Sequence, residues 1–139
     1  MSVGLKAGFF WYEIGTGDFL HSFFSTVSYH LENKEWGTVY PVLMEKLYRG
    51  SVDAGELEEL EKELSDVEQR LRSIPPDRVI WDIEDLSRQP SWGKEISDDI
   101  KNLSDYFITS NGGNIFDMFR DAISAAKTID SGIEIKSYA

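Results

Sequence analysis

The residues with the most chemistry to offer are acids. Asp82, Glu84 and Asp85 stand together in WDIEDL, and Asp98 and Asp99 follow in the next polar stretch. Carboxylates are what hard divalent cations prefer as ligands, and on an extended strand Asp82 and Glu84 share a face. No histidine and no fixed ligand spacing accompanies them, so neither a metal site nor a cofactor is assigned, and Asp85 or Ser87 serves equally well to cap a turn. As a glycosidase-like pair, two of these acids must stand across a cleft, a relation that sequence spacing does not define. A small metal-assisted hydrolase using Asp82, Glu84 and Asp85 stays open beside the plainer reading of a solvated acidic face.

Other candidates are thinner. His21 and His30 lie nine positions apart on one predicted helix, which at 100° per residue puts them on nearly opposite faces, unable to ligate one ion together. With no cysteine and no histidine beside an apt serine, a Ser-His-acid triad has little raw material. Gly15-Thr16-Gly17 lacks the third glycine of a dinucleotide loop, and Asn111-Gly112-Gly113-Asn114 offers amides to an anion but no Lys or Arg, so a plain turn is the simpler account. Trp92, in a loop bounded by Pro90 and Gly93 next to acids, is a candidate anchor for a partner, since Trp is enriched at interface hot spots. A lid over the core edge is its alternative role.

The elements that must position these residues are written in the periodicity. Val3, Leu5, Ala7, Phe9 and Trp11 alternate with Gly4, Lys6, Gly8, Phe10 and Tyr12, predicting one strand inside a sheet covered on both sides. Asp18 is placed to cap a helix with Phe19, Leu20, Phe23, Phe24, Val27 and Leu31 inward. A second helix runs from Pro41 to Gly50. In a third, capped by Asp53 with Glu56 closing a capping box, Leu57, Leu60, Leu64, Val67, Leu71 and Ile74 form a narrow seam. That seam reads as an antiparallel helix pair within the monomer or as a coiled-coil dimer, and its shortness favours the first. Arg78–Ile83 predicts a second strand, Ile96 to Leu103 a short helix, Tyr106–Thr109 a third strand, Asn114 the cap of a helix, and Ile133–Lys136 a fourth strand. A crossover between the last two strands predicts a parallel pair. The expected architecture is an α+β domain over residues 1–139, with a mixed sheet of about four strands flanked by helices.

Composition narrows the partners. The chain of 139 residues carries 25 acidic and 14 basic side chains, a formal charge of −11, which disfavours nucleic acid and anionic membranes and favours a basic partner. Simple solubility is the alternative meaning of such charge. The absence of cysteine is compatible with a reducing cytoplasm. No secretory signal is predicted in MSVGLKAGFF, and no window is apolar enough for a transmembrane helix.

Three stretches, FFWYEIGTGDFLHSFFSTVSYHLE, VIWDIEDLSRQPSWG and ISDDIKNLSDYFITSNGG, resemble the immunity 70 family of bacterial polymorphic toxin systems, with the likeness weakest over Asp53 to Ser73. The resemblance implies a cytoplasmic, non-enzymatic protein that binds a cognate toxin domain and neutralises it by occluding its active site. A basic toxin such as a nuclease suits the acidic charge. The expected contact patch is Asp82, Glu84, Asp85 and Trp92, rimmed by Asp98 and Asp99, on a monomer rather than a homodimer. A dimerising structural module built on the leucine seam is a further alternative.

Overall fold

The computed structural model describes residues 2–90 and 95–138. Four strands form one antiparallel sheet: β1 (Ser2–Ala7), β2 (Phe10–Gly15), β3 (Ser51–Val52) and β4 (Ile133–Tyr138), in the order β2-β1-β4-β3. β1 is thus internal, as its alternation predicts. The alternating run is nevertheless two strands rather than one. Gly8, at φ +63°, and Phe9 make a two-residue turn, because a positive φ at the first turn position matches the right-handed twist of the strands it joins. The expected parallel pair is also absent: β4 runs antiparallel to both β1 and β3.

Among the described residues, helices cover one face of the sheet. Helices α1 (Gly17–Leu31) and α4 (Ile115–Thr128) pack on the side carrying the fully buried Leu5 and Ala7. The other side presents Lys6, Trp11, Glu13, Glu134 and Lys136, all at least partly exposed, which corrects the expectation of cover on both faces. Gly4 is required on that side. A Cβ there would stand 2.4 Å from the Tyr12 carbonyl oxygen and 2.9 Å from the Trp11 ring, which lies across it.

Phe23 on α1 centres the core. Its ring lies 5.3 to 5.6 Å from those of Phe24, Phe107, Phe116 and Phe119, and truncating so enclosed a ring typically costs about 3–5 kcal/mol. Thr16, not Asp18, caps α1: its Oγ1 accepts from Phe19 N at 3.2 Å. At α4 the cap is the expected one, with Asn114 Oδ1 accepting from Phe116 N at 2.8 Å.

After α1 the chain forms a π-helical segment, Val42–Leu47, then β3, a 3₁₀ turn, and α2 (Leu57–Leu71). Asp53 precedes the 3₁₀ turn and makes no side-chain cap. The leucine seam faces inward, with Leu57, Leu60, Leu64, Val67 and Leu71 all buried within the monomer. Contacts step in opposite senses along the two segments: Tyr40 meets Asp66 and Arg70, Val42 and Leu43 meet Glu63, and Lys46 meets Glu56. The pair is therefore antiparallel and intramolecular, and its apolar stripe is consumed without a second chain.

Two predicted strands are not strands. Residues 79–83 cross α1 as an irregular segment that bends at Trp81 and turns after Asp82, and the serine and threonine side chains of that helix take the place of a neighbouring strand. Ile80 N donates to Thr26 Oγ1 at 3.0 Å, Ser22 Oγ donates to Ile80 O at 2.9 Å, and Ile83 N donates to Ser25 Oγ at 3.2 Å. These bonds satisfy backbone groups that a sheet would otherwise have to meet. Further on, Leu103–Tyr106 forms the short helix α3, and Ile108 makes a single bridge to Asn114 in place of the strand expected over Tyr106–Thr109. The helix predicted over Ile96 to Leu103 is not formed: residues 96–102 are turn and irregular, and the helical turn begins at Leu103, where the prediction ended it.

Candidate functional site

The segment carrying the acids is fastened to α1 through Asp82. One of its oxygens lies 3.2 Å from His21 Nε2 and accepts from Glu84 N at 3.0 Å, and the other accepts from Arg88 Nη1 at 3.0 Å. Arg88 reaches on to Asp18 at 3.3 Å, so one guanidinium bridges the start of α1 and the acidic segment. On its other side, His21 Nδ1 lies 3.1 Å from the Tyr48 hydroxyl. Sequence reasoning did not foresee this line of Tyr48, His21, Asp82, Arg88 and Asp18, because its members are brought together from three separate parts of the chain.

Electrostatics follow from the geometry. The Glu84 amide, then Arg88 and His21, hold the Asp82 carboxyl below its ordinary value, so Asp82 is a carboxylate at neutral pH. Burial, then the charges of Glu84 and Asp82, push the Tyr48 phenol up, so the hydroxyl that pairs with His21 Nδ1 keeps its proton. Each polar group in the line meets a complementary one. The arrangement holds a loop in place, and an attacking group would have to break it.

An open cleft of about 540 Å³ lies beside this network. Ile14, Phe19, Trp81 and Ile108 give it apolar walls, and Asp18, Arg88, Gln89 and Ser110 its polar rim. A smaller hollow of about 230 Å³ shares Phe19 and Ile108 with it. Among the described residues, no group of three or more His, Cys, Asp or Glu is arranged to hold a metal ion.

The predicted site residues are distributed as follows. Asp82 is committed internally, while Glu84 and Asp85 are exposed; Asp85 Oδ1 accepts from Ser87 N and Oγ, the turn cap foreseen as its alternative role. Asp98 and Asp99 are exposed too, and Asp99 lines a separate hollow with Asp105, Ile108 and Asn114. Trp92 lies outside the described residues. His30 Nε2 pairs with the Arg78 carbonyl oxygen at 2.7 Å, so both histidines serve to dock the 78–83 segment.

Glu32 and Glu63 organise the approach to the π-helical segment. Glu32, only 2 % exposed, accepts from the amides of Gly37, Val39 and Tyr40 at 2.9 to 3.0 Å. Glu63 accepts from Val42 and Leu43 at the start of the π-helical turns, and Trp36 Nε1 donates to the Met44 carbonyl oxygen at 2.7 Å. The Trp36 ring packs edge-on against Tyr48 at 4.7 Å, linking this scaffold to the His21 network.

A family model described as Immunity protein 70 matches residues 5–135 of the chain. No curated protein and no solved structure matches it.

Proposed function

The chain belongs to the immunity protein 70 family, and from that premise we propose that it binds a cognate bacterial polymorphic toxin in the cytoplasm and neutralises it by occluding the toxin's active site. The observation that carries this reading is the family match across residues 5–135. The formal charge of −11 supports a basic toxin domain, such as a nuclease, whose phosphate-binding site an acidic protein can mimic. Inhibition of this kind needs no reaction by the inhibitor. It needs a complementary surface of about 800 Å² on each partner.

Within that reading, Glu84 and Asp85 present charge to the partner from a segment whose position Asp82 fixes. Asp98 and Asp99 border the patch, and Trp92 is its aromatic member. The protein acts as a monomer, in keeping with an apolar seam already buried in the chain. No helix among the described residues is long and apolar enough to cross a membrane.

The test is co-purification with the toxin domain encoded beside this chain, followed by titration at two salt concentrations and a toxicity assay. One-to-one binding that weakens with salt and abolishes toxicity is the expected result. Failure of the two folded proteins to associate would refute the immunity reading. Charge reversal of Glu84 and Asp85 with no effect on affinity would remove the acidic patch while leaving the reading intact.

A further inference from the structure

Phe9 is the most exposed large apolar side chain among the described residues, at 84 %. Its ring sits 5.1 Å from that of Phe10, itself 41 % exposed, so the β1–β2 turn carries an aromatic pair into solvent. Turn chemistry does not demand this: Gly8 supplies the positive φ, and polar residues such as Asn or Ser satisfy the second position of such turns. The pair also sits on a stiff mount. Ala7 and Phe10 close the hairpin ladder, and the side chain of Ile129, the residue after α4, lies against Gly8.

On its α4 side the turn is bordered by acids without an ion-pair partner among the described residues, while Lys6 lies on the opposite face of the hairpin. Asp130 follows Ile129, and the Asp121 carbonyl oxygen accepts from the Tyr12 hydroxyl at 3.5 Å, which places Asp121 alongside β2. Among the described residues neither Asp121 nor Asp130 is in an ion pair, whereas Asp18 and Asp82 share Arg88, Glu68 holds Arg120 and Glu61 holds Lys127. A rigid aromatic projection bordered by free carboxylates matches a protein surface with an apolar pocket edged by Lys or Arg. Two copies of this chain, each at −11, repel one another, so the charge selects a basic partner over self-association.

We propose that the Phe9–Phe10 turn is the hydrophobic anchor of the toxin complex, inserted into an apolar pocket of the toxin domain while Asp121 and Asp130 meet basic residues on its rim. This rests on the immunity reading, but it assigns the anchoring to a surface other than the acidic segment at 82–85. Aromatic side chains seated in a partner's pocket dominate binding energies, and surrounding charges chiefly set encounter rate and specificity.

The experiment titrates a catalytically inactive toxin domain with the wild-type chain, with the double variant Phe9→Ser and Phe10→Ser, and with Asp121→Lys and Asp130→Lys combined. Thermal melts check that each variant is folded, and the serine variant is expected to melt with the wild type because both rings lie outside the core. The expected result is a loss of affinity of more than about thirtyfold for the serine variant. For the lysine variant it is a slower association with a weaker dependence on salt. A folded serine variant that binds like the wild type overturns the anchor and leaves the immunity reading standing. A wild-type chain that does not bind overturns both. A wild-type dimer that the serine substitutions dissolve assigns the turn to self-association and overturns the proposal as well.

Discussion

His21 Nε2 stands 3.2 Å from Asp82 Oδ1, joining helix α1 to a residue 61 positions further along the chain. The pairing turns a candidate ligand or general acid into a fastening. Asp82 now positions Glu84 and Asp85 without having to face a partner itself. Its neighbours on both sides, Ile80 and Ile83, are held by the hydroxyls of α1, so the segment is docked by side chains along its length.

Asp82→Asn is therefore expected to loosen residues 80–88 while leaving the sheet intact. The sign of its pH dependence follows from the lowered Asp82 pKa. A carboxyl held below its ordinary value in the fold contributes stability that is complete above that ordinary value and fades as pH falls through the folded one. The wild type should thus out-melt Asp82→Asn at neutral pH, and the gap should close on acidification. Faster amide exchange at Ile80 and Ile83 in the variant is the local readout. A pH-independent gap would refute the carboxylate as its source.

Glu63 has the opposite slope. Burial, aided by the charges of Glu59 and Glu32, raises its pKa against the lowering effect of the Leu43 and Val42 amides. The folded chain therefore holds this proton more tightly than the unfolded chain, and stability falls as pH rises from the ordinary carboxylate value through the raised one. Glu63→Gln removes that decline. The melting temperature of the variant relative to wild type should climb with pH across the carboxylate range, even if the lost acceptor lowers it throughout. A flat difference would refute the raised pKa.

Glu32 is expected to be among the costliest surface-remote acids to alter. Glu32→Gln keeps one acceptor oxygen, so the NH₂ group leaves unmet either the Gly37 amide, which Oε1 receives, or the Val39 and Tyr40 amides, which Oε2 receives. Leaving such donors unmet costs about 1–3 kcal/mol each, so a loss of about 2–4 kcal/mol is expected by urea unfolding, as a lower midpoint at unchanged slope. A shift near zero would mean that water or a neighbouring group replaces the carboxylate.

What the sequence revealed was the part governed by local periodicity. Phe19 through Leu31, the leucine seam and Ile115 through Ala126 each repeat at helical spacing, and each is a helix with those residues inward. The hairpin was hidden because the alternation continues through Gly8 and Phe9 without an Asn-Gly or Asp-Gly signal. The trace it left is the change of parity, since Leu5 and Ala7 face the core from odd positions and Tyr12 and Ile14 from even ones. Val79, Trp81 and Ile83 alternate like a strand, but whether a neighbour is a strand or a helix bearing Ser22, Ser25 and Thr26 is a tertiary fact. β3 has two residues, too few for any period to show. The site suffered most: His21 and Arg88 meet Asp82, and Tyr48 meets His21, only through the packing of the π-helical segment and the 79–88 segment on α1, and no spacing along the chain encodes that meeting.

Gly4 gives the sharpest test of the open sheet face. A methyl group there would meet two obstacles of different stiffness: the Trp11 ring at 2.9 Å, which can swing away, and the Tyr12 carbonyl oxygen at 2.4 Å, which belongs to the paired strand and moves only with it. Gly4→Ala is accordingly expected to cost about 1–3 kcal/mol, the usual range for overpacking. Combining it with Trp11→Ala separates the two causes, because removing the ring relieves the first contact and not the second. If the backbone is the main obstacle, most of the cost of Gly4→Ala persists in the Trp11→Ala background. Disappearance of that cost would show that the glycine is there to seat the tryptophan rather than to let the two strands approach.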